Sequence, residues 1–526
     1  AESKSNEALL CINTFQKDLN DTNQLIRSSA LRVLTSIRVP IIAQLQTMAV
    51  KQCVRDSSAY VRKAAAHAVA KVFALDPEQS EALEELVQVL LADNSTMVLG
   101  SAVAAYNEVC PDKWELIHPN YRKIVRLCAD TDEWGQIMLL NMLTRYGRKF
   151  FTCPDRDTNK NPKEPKEGAR KKKKNKAFYS DDDKSTSSSS SSSEEEEEES
   201  DEEVELEADH ATLLSSTVPL LRSRNAGVVV AVSTLFHYLA PRAQVVKGGK
   251  SLVRVLKNNR ETQYLVLANI STLVQTRPDM FEGTAKEFFL RAHDCTCSAL
   301  LKLEILSQLV NEANAQLIMR EFNAYIKEAS RDAVLIAATI QAIGRVAAWM
   351  PALTDSCVRG LMQLIQTSKR QDMVAESVVV VRALVQQAPE ARVKIVRQLA
   401  RLIDTIHAPD ARASVVWMIG AYHHLVPKIA PDALRELAKT FKTEDAQVKL
   451  QVLNLATKLF LSEPATCEKL FRYVLDMGRY DMDFDIRDRA RMMRAILVAD
   501  HSPLLRDKAH ALFLSSRQPP EFVAPS

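Results

Sequence analysis

One short stretch of this sequence ends like a phosphate-binding loop. KGGKS at 247–251 offers glycine N–H groups and a lysine, which such a loop uses to hold phosphate oxygens. The loop also needs a glycine five residues before the last one, where this sequence has Gln244, and a preceding strand, which nothing here predicts. We therefore predict no nucleotide site and no cofactor.

A second stretch begins like a calcium-binding loop. DMDFDI at 481–486 alternates carboxylates, but Ile486 stands where the loop needs glycine and Met492 where it needs its final glutamate. We expect these carboxylates to cap a helix and to form salt bridges with Arg487 and Arg489, and we predict no metal.

The cysteines and histidines lack the spacing of a metal site. Cys295 and Cys297 have only His293 close in sequence, so we predict that they are buried small side chains. His423 and His424 lie at a predicted helix end without ligand spacing around them. The nine cysteines are scattered, which favours a reducing compartment over a disulfide framework.

Catalytic patterns are not visible in this sequence. Trp134, Trp349 and Trp417 lie in apolar helical stretches, where we expect core packing. No Ser-His-Asp, Cys-His or paired-carboxylate pattern stands out, so the sequence predicts no catalytic residue and no enzyme.

Residues 154–209 form a charged segment with 11 Lys/Arg and 19 Asp/Glu, a net charge of −8, whereas the remaining chain carries +11. The basic run at 160–176 suits a nuclear-import signal or a phospholipid patch, or serves only as a solubilising linker. The basic body suits an anionic partner, such as a membrane surface, a nucleic acid or an acidic protein, or is simply a solvated helical surface.

The acidic half of the segment suits acid-directed kinases, which recognise a serine followed three residues later by a carboxylate. The serines with this spacing are Ser180, Ser191, Ser192, Ser193 and Ser200. Each phosphate would add about −1.5 to −2 charge. We hypothesise a tunable polyanion that competes with anionic ligands for the basic body.

The rest of the chain repeats a short polar turn followed by an amphipathic helix. Examples are DTNQLIRSSALRVL at 21–34, DSSAYVRKAAAHAV at 56–69 and DNSTMVLGSAVAAY at 93–106. The apolar positions at helical spacing are Ile26, Ala30, Val33 and Ile37 in the first repeat and Val61, Ala65, Ala68 and Val72 in the second. We expect each leading Asp to cap its helix. Steps of 35 to 40 residues are typical of HEAT and armadillo helix pairs.

We therefore predict an all-α, HEAT/armadillo-like helical-repeat solenoid of about twelve units with one long disordered insertion. Its predicted parts are 1–151, the N-terminal part, which starts within the array; 152–208, a disordered charged linker; 209–515, the C-terminal part; and 516–526, the start of a hinge or disordered tail. A solenoid tolerates such an insertion because its contacts are local and the loop-closure cost grows only logarithmically with length.

Several stretches carry a specific family resemblance. They include IHPNYRKIVRLCADTDEWGQIMLLNMLTRYGR, LKLEILSQLVNEANAQLIMREFNAYI and APDARASVVWMIGAY, in this order. The chain resembles the trunk of the beta-type large subunits (beta-adaptins) of clathrin-associated adaptor complexes. KAFYSDDD, the acidic insertion and TVPLLRSRNAGVVVAVSTLFHYLAP make it most similar to the beta subunit of the third adaptor complex.

The resemblance implies a non-enzymatic scaffold that forms a heterotetramer with a second large subunit, a medium subunit and a small subunit. It implies sorting of transmembrane cargo from endosomes or the Golgi toward lysosomes and related organelles. Recruitment would use an Arf-type GTPase and anionic phospholipids, so the chain would be cytoplasmic and peripheral on Golgi, endosome and coated-vesicle membranes. Earlier repeats, a clathrin-binding hinge and an ear would lie outside this sequence, and no nucleic-acid partner is expected.

One alternative class stays open, namely another HEAT-repeat scaffold or carrier of the nuclear-transport or phosphatase-scaffold type. The basic run would suit nuclear traffic, but such carriers tend to be acidic, whereas this body is basic. No apolar run approaches the roughly 20 residues that span a bilayer, and no signal peptide is visible.

Overall fold

The structure, a computed structural model, describes residues 11–152, 206–258, 261–328, 332–368, 370–388, 393–498, 505 and 507–515. Within these ranges the backbone forms α-helices, 3-10 turns and loops, and no strand. This confirms the predicted all-α repeat fold. The five candidate serines lie outside the described residues.

Contacts divide the chain into two units, and the division passes through the helix Gln263–Thr276. The first unit comprises 1–269 and 276–282, and the second comprises 270–275 and 283–526. The helices up to the division are α1 Ile12–Asp18, α2 Gln24–Leu34, α3 Ala43–Val54, α4 Ala59–Leu75, α5 Ser80–Leu91, α6 Thr96–Val109, α7 Tyr121–Leu127, α8 Glu133–Phe150, α9 Ala208–Thr217, α10 Ala226–Leu239, α11 Arg242–Asn258 and α12 Gln263–Thr276.

The helices of the second unit follow the same alternation. They are α13 Thr296–Gln308, α14 Ala315–Lys327, α15 Ala333–Trp349, α16 Pro351–Thr367, α17 Gln371–Gln387, α18 Val393–Arg401, α19 Pro409–Ala421, α20 Ile429–Thr440, α21 Ala446–Ser462, α22 Pro464–Arg479, α23 Phe484–Leu497 and α24 Ala509–Phe513.

Twelve of the helices in the described residues follow the polar turns of the repeats, and we call each of them the A helix of its repeat. The A helices are α2, α4, α6, α8, α10, α12, α13, α15, α17, α19, α21 and α23. In the sixth repeat, two 3-10 turns, Pro278–Phe281 and Ala285–Phe288, stand where other repeats place their second helix. Gly283 lies between these turns with a φ of 76°, a conformation that glycine adopts without the steric cost of a Cβ atom.

The A helices of successive repeats pack side by side from α2 to α10 in the first unit and from α13 to α23 in the second. The predicted apolar positions of the second repeat are all buried, as expected for helices that share one core. Helices α6 and α8 approach each other closely, because a Cβ atom on Gly100 would lie 2.5 Å from the Cα of Gly135. In the first repeat the expectation was wrong for Ile26 and Val33, which are exposed and line a shallow groove beside α1.

The leading aspartates of the first repeats were expected to cap their helices, but they lie two residues too early. The residue before α2 is Asn23, and the residue before α4 is Ser58. Asp56 instead accepts a hydrogen bond from the Ser58 N–H at 2.8 Å and so fixes the turn. Capping is confirmed further along the chain, where Asp445 accepts from the N–H of Gln447.

Ion pairs link two of these aspartates, Asp56 and Asp93, to the preceding A helix. Arg27 on α2 binds Asp56 through two hydrogen bonds of 2.8 and 2.9 Å, and both side chains are only 13% exposed. Arg62 on α4 binds Asp93 in the same way, at 2.6 and 3.3 Å. The second unit has two comparable pairs, Arg412–Glu444 and Lys449–Asp481. The pairs therefore connect one repeat to the next.

These ion pairs predict that acid destabilises the first unit. Burial alone would raise the pKa of Asp56 and of Asp93, but hydrogen bonds from Arg27 and Arg62, and from backbone N–H groups, lower both pKa values. An aspartate in the unfolded chain has a pKa of about 3.9. The stabilisation is therefore fully present above that value and is lost as the pH falls through the folded-state pKa.

Thermal unfolding midpoints measured between pH 7 and pH 2 check this prediction. The midpoint of the Asp56→Asn variant is expected to fall less on acidification than that of the unchanged protein, because the variant lacks one of the titrating carboxylates. An equal decrease in the two proteins would contradict the prediction.

Candidate interaction surface

The two motif-like stretches have structural roles. KGGKS lies inside α11, and a Cβ atom on Gly249 would lie 2.0 Å from the carbonyl oxygen of Met280. The glycine therefore lets α11 pack against the 3-10 turn Pro278–Phe281. In DMDFDI, Asp483 caps α23 by accepting from the Asp485 N–H, as predicted. Asp481 pairs with Lys449 at 2.9 Å, and not with the arginines that follow in the sequence.

The prediction that Cys295 and Cys297 are buried was wrong, because both lie exposed at the start of α13. Hydrogen bonding with Ser298 lowers the pKa of the Cys295 thiol. The ring of His423 contacts the Gly420 carbonyl oxygen at 3.0 Å and the Ser462 hydroxyl at 2.7 Å. In the described residues no group of three or more His, Cys, Asp or Glu side chains could hold a metal ion.

Two of the three tryptophans that were expected in the core lie on the surface. Trp134 is 78% exposed and Trp349 is 80% exposed, while Trp417 is partly buried. Trp134 is in the first turn of α8 and Trp349 is the last residue of α15, where a side chain can extend past the neighbouring helix. The buried tryptophan is Trp114, in a 3-10 turn of the third repeat.

The charged segment leaves and rejoins the first unit at one place. Phe151 stacks on His210 with ring centroids 4.9 Å apart. Arg122 pairs with Asp209 at 2.8 Å, and Tyr121 donates to the Asp209 carbonyl oxygen. The ends of the chain on either side of the charged segment are therefore held together by α7, α8 and α9.

Basic side chains surround this junction. Arg145 and Lys149 lie 5.4 and 5.6 Å from the centroid of the Trp114 ring, and Arg148 lies 4.2 Å from that of Tyr238. Such cation–π contacts hold the side chains in place. Arg145 also pairs with Asp112 at 3.8 Å. The described residues that flank the charged segment therefore lie near basic side chains.

An exposed apolar stripe follows the A helices of the first unit. Its members occupy the second position of each A helix: Leu25, Tyr60, Met97, Trp134 and Tyr264, with Gly227 at this position in α10. Four of these side chains are exposed, and Tyr60 is partly buried under Arg32. We call these five residues the apolar stripe. An exposed row of large apolar side chains is typical of protein interaction sites.

The sequence contained a signal for the stripe that was missed. Leu25, Tyr60, Met97 and Trp134 each follow the leading Asp of their repeat by four residues. This position is not one of the apolar positions that helical periodicity places on the core face of the helix. In the last four repeats of the second unit the same position is polar and exposed: Asp372, Asp410, Gln447 and Asp485. Val334, at the same position in α15, is still apolar and is 61% exposed, so the apolar character is lost only in the last four repeats.

None of the helices in the described ranges is both long and apolar enough to span a bilayer.

Comparison with known proteins gives the family. The family described as "Adaptin N terminal region" matches residues 1–501. The chain is 45% identical over 536 residues to "AP-3 complex subunit beta-1" of Bos taurus, covering 100% of this chain and 47% of that protein. This chain thus spans about half the length of the curated relatives it matches. The predicted resemblance to beta subunits of the third adaptor complex is confirmed.

Two structural comparisons agree with the fold. A chain of "Homology model of the full-length AP-3 complex in an intermediate open conformation" aligns with a TM-score of 0.65 and 25% identity, covering 95% of this chain and 82% of that chain. "Crystal structure of Kap121p" aligns at a TM-score of 0.50 with 15% identity, covering 94% and 49%, which supports the helical-repeat fold alone. The match over residues 1–501 means that this chain belongs to the adaptin family, through the region described as the adaptin N terminal region.

Proposed function

We propose that the chain is a non-enzymatic scaffold subunit of an adaptor complex, in the position of the beta-type large subunit. The observation that carries this proposal is the 45% identity over the whole chain to a beta subunit of the AP-3 complex. In a helical-repeat protein each repeat contacts only its neighbours, which leaves long surfaces for other chains. The partners would be a second large subunit, a medium subunit and a small subunit.

The apolar stripe is the surface that we assign to one of these partners. Four of its members lie on the successive A helices α2, α4, α6 and α8, which pack side by side, so one partner can contact several repeats at once. When a second protein covers exposed apolar area of this kind, the burial of that area stabilises the complex. The exposed Trp134 is the largest of these side chains, and large aromatic residues dominate binding energy in many interfaces.

Co-expression of the tagged chain with the other three AP-3-type subunits of one organism tests the proposal. We expect a complex with one copy of each chain, measured by native mass spectrometry after purification through the tag. Recovery of the chain alone, or preferential capture of nuclear-transport or phosphatase subunits from cytosol, would overturn it in favour of the alternative scaffold class.

The Trp134→Asp variant tests the stripe within the same experiment. We expect loss of at least one partner, because an aspartate at this position adds a charge that the interface would have to desolvate. The Trp349→Asp variant is the matched control, since it removes an equally exposed tryptophan that is not in the stripe. Full assembly of both variants would contradict the role of the stripe.

We further propose that the complex is peripheral on Golgi or endosomal membranes and sorts cargo toward lysosomes, recruited by an Arf-type GTPase and anionic phospholipids. The net charge of +11 outside the charged segment supports attraction to an anionic membrane surface. Clathrin binding would depend on a hinge beyond this sequence. Flotation of the complex with GTPase-loaded vesicles is expected to require anionic lipid, and equal flotation with neutral vesicles would contradict this.

Phosphorylation of Ser180, Ser191, Ser192, Ser193 and Ser200 would make the charged segment a regulator of that attraction. The basic side chains at the junction support this, because the described residues that flank the segment lie near them. Replacing 153–205 with a short glycine-serine linker should strengthen vesicle binding at low salt, and treatment of the unchanged chain with an acid-directed kinase should weaken it. Unchanged vesicle binding in both experiments would contradict the hypothesis.

A further inference from the structure

A groove crosses the A helices of the last four repeats in the second unit. Two cavities of about 620 and 580 Å³ adjoin here and share Gln386, Trp417 and Gln451 as lining residues. The lining comes mainly from α17, α19, α21 and α23, so the groove runs across these helices and not along any one of them. The 3-10 turn His423–Leu425, helix α24 and the two residues after it also line the first cavity and bound that end of the groove. A ligand in it would contact several repeats at the same time.

Amide side chains supply the groove with paired donors and acceptors. Gln386 lies on α17, and Gln451 and Asn454 lie on α21. Asn454 donates from Nδ2 to Oε1 of Gln451 at 3.3 Å, which leaves the Asn454 carbonyl oxygen and the Gln451 N–H groups for another partner. A primary amide can bind the C=O and the N–H of one peptide unit together, and extended peptides present such units at regular intervals.

The charge of the groove favours an acidic ligand. Arg382 is partly buried and donates to the Ser414 hydroxyl at 3.1 Å, and among the described residues no carboxylate lies within ion-pair distance of it. Burial lowers the pKa of Arg382, and no nearby charge in the described part of the chain opposes this effect. Burial also lowers the pKa of the partly buried Arg345, but there the charge of Glu304 acts in the opposite direction. A guanidinium that is partly desolvated without a counter-ion is costly, and an anionic ligand would offset that cost.

The other charged side chains that line the two cavities are also mostly positive. Arg489 on α23 is exposed in the first cavity, which Lys458 also lines. Burial lowers the pKa of His423, so this ring is neutral at pH 7. Asp410 supplies the one carboxylate among the lining residues of the two cavities. The positive side chains therefore outnumber the negative one.

The dimensions suit an extended chain. Packed helices lie about 8–10 Å apart, and an extended peptide rises about 3.3 Å per residue. Each repeat is therefore matched by about three residues, and the span from α17 to α23 by about nine. The partly buried Trp417 lines both cavities at the middle of the groove and offers a surface for one apolar side chain.

We propose that this groove binds an extended, acidic peptide segment of a partner protein, with carboxylates near Arg382 and Arg489 and an apolar residue over Trp417. The backbone of the peptide would be held by the amide side chains. The proposal does not depend on which complex the chain joins, so it can fail or hold independently of the adaptor assignment.

Selection of a random nonapeptide library displayed on phage against the full 526-residue chain tests the proposal. We expect enriched peptides with acidic residues on both sides of an apolar residue. A synthetic peptide of the enriched sequence, labelled with fluorescein, is then titrated by anisotropy. Its binding should quench tryptophan fluorescence in the unchanged protein and much less in Trp417→Phe. The affinity is expected to fall as salt is added.

Two variants that change the charge of the groove test whether the peptide binds there. Arg489→Glu changes an exposed side chain, so the fold is retained, and we expect a Kd weaker by about tenfold or more. Arg382→Gln should have an effect of similar size. Arg359→Glu, on α16 and outside the groove, is the matched control and should change the Kd by less than about twofold.

Three outcomes would overturn the proposal. One is that no peptide is enriched, and another is that the groove variants bind as tightly as the unchanged protein. The third is that the enriched peptides lack acidic residues. A labelled decauridylate that binds more tightly than the peptide, and loses affinity in Arg489→Glu, would assign the groove to nucleic acid instead.

Discussion

Replacing Lys302 with methionine is expected to destabilise the second unit by about 3–5 kcal/mol. Lys302 pairs with Asp294 at 2.7 Å, and both side chains are only 3% exposed. Burial alone would raise the pKa of Asp294, but hydrogen bonds from Lys302 and from the Arg291 N–H lower it. Without Lys302 the carboxylate would stay buried with no counter-ion, which is the reason for the large effect.

The pH dependence of the destabilisation shows whether the unpaired carboxylate of Asp294 is its cause. In Lys302→Met, burial would raise the folded-state pKa of Asp294 above its unfolded value, so the destabilisation should be largest at neutral pH and should shrink as the carboxylate is protonated. Urea unfolding followed by circular dichroism at pH 7 and pH 4 measures both values.

Two further variants control this experiment. Asp294→Asn combined with Lys302→Met should recover much of the lost stability, because the buried charge is gone. Lys439→Met removes a lysine whose pair with Glu436 is exposed, and it should change stability by less than about 0.5 kcal/mol. The prediction would be wrong if the double variant cost as much as the sum of the two single variants.

Replacing Gly249 with alanine is expected to destabilise the first unit by about 1–3 kcal/mol. The new Cβ atom would lie 2.0 Å from the carbonyl oxygen and 3.0 Å from the carbonyl carbon of Met280. These are backbone atoms, so neither can move aside by a change of rotamer. Helix α11 would have to shift away from the 3-10 turn Pro278–Phe281, and the core between them would lose contacts.

Gly360 provides the matched control, because it also lies within a helix, α16, but has no atom within 4 Å of the added Cβ position. Gly360→Ala should stabilise the chain by up to about 1 kcal/mol, since alanine favours helix over glycine. Urea denaturation of both variants gives the comparison. Stabilisation of both would show that α11 is not tightly packed at Gly249.

The two predictions concern different kinds of contact between neighbouring parts of a repeat protein. In such proteins the stability is roughly a sum of repeat terms and nearest-neighbour terms, so a local defect weakens one region first. Unfolding of the variants should therefore broaden or become biphasic. A single transition shifted as a whole would indicate strong coupling along the chain.

The sequence by itself determined the repeat fold and the family. Val61, Ala65, Ala68 and Val72 were predicted to face the core and are buried, because helical periodicity is a local property that the sequence displays directly. The repeat starts were found for the same reason. KGGKS lies inside a helix, which agrees with the local sequence, because the glycine and the strand of a phosphate-binding loop are missing there.

Only the tertiary structure decided which side chains lie exposed and which pair with distant residues. Trp134 and Cys297 are apolar residues in helices, yet both are exposed, because burial depends on which neighbouring helix covers a given turn. Asp56 and Arg27 are 29 residues apart, so their ion pair becomes evident only when the repeats are stacked. The groove around Trp417 likewise exists only because four A helices lie side by side.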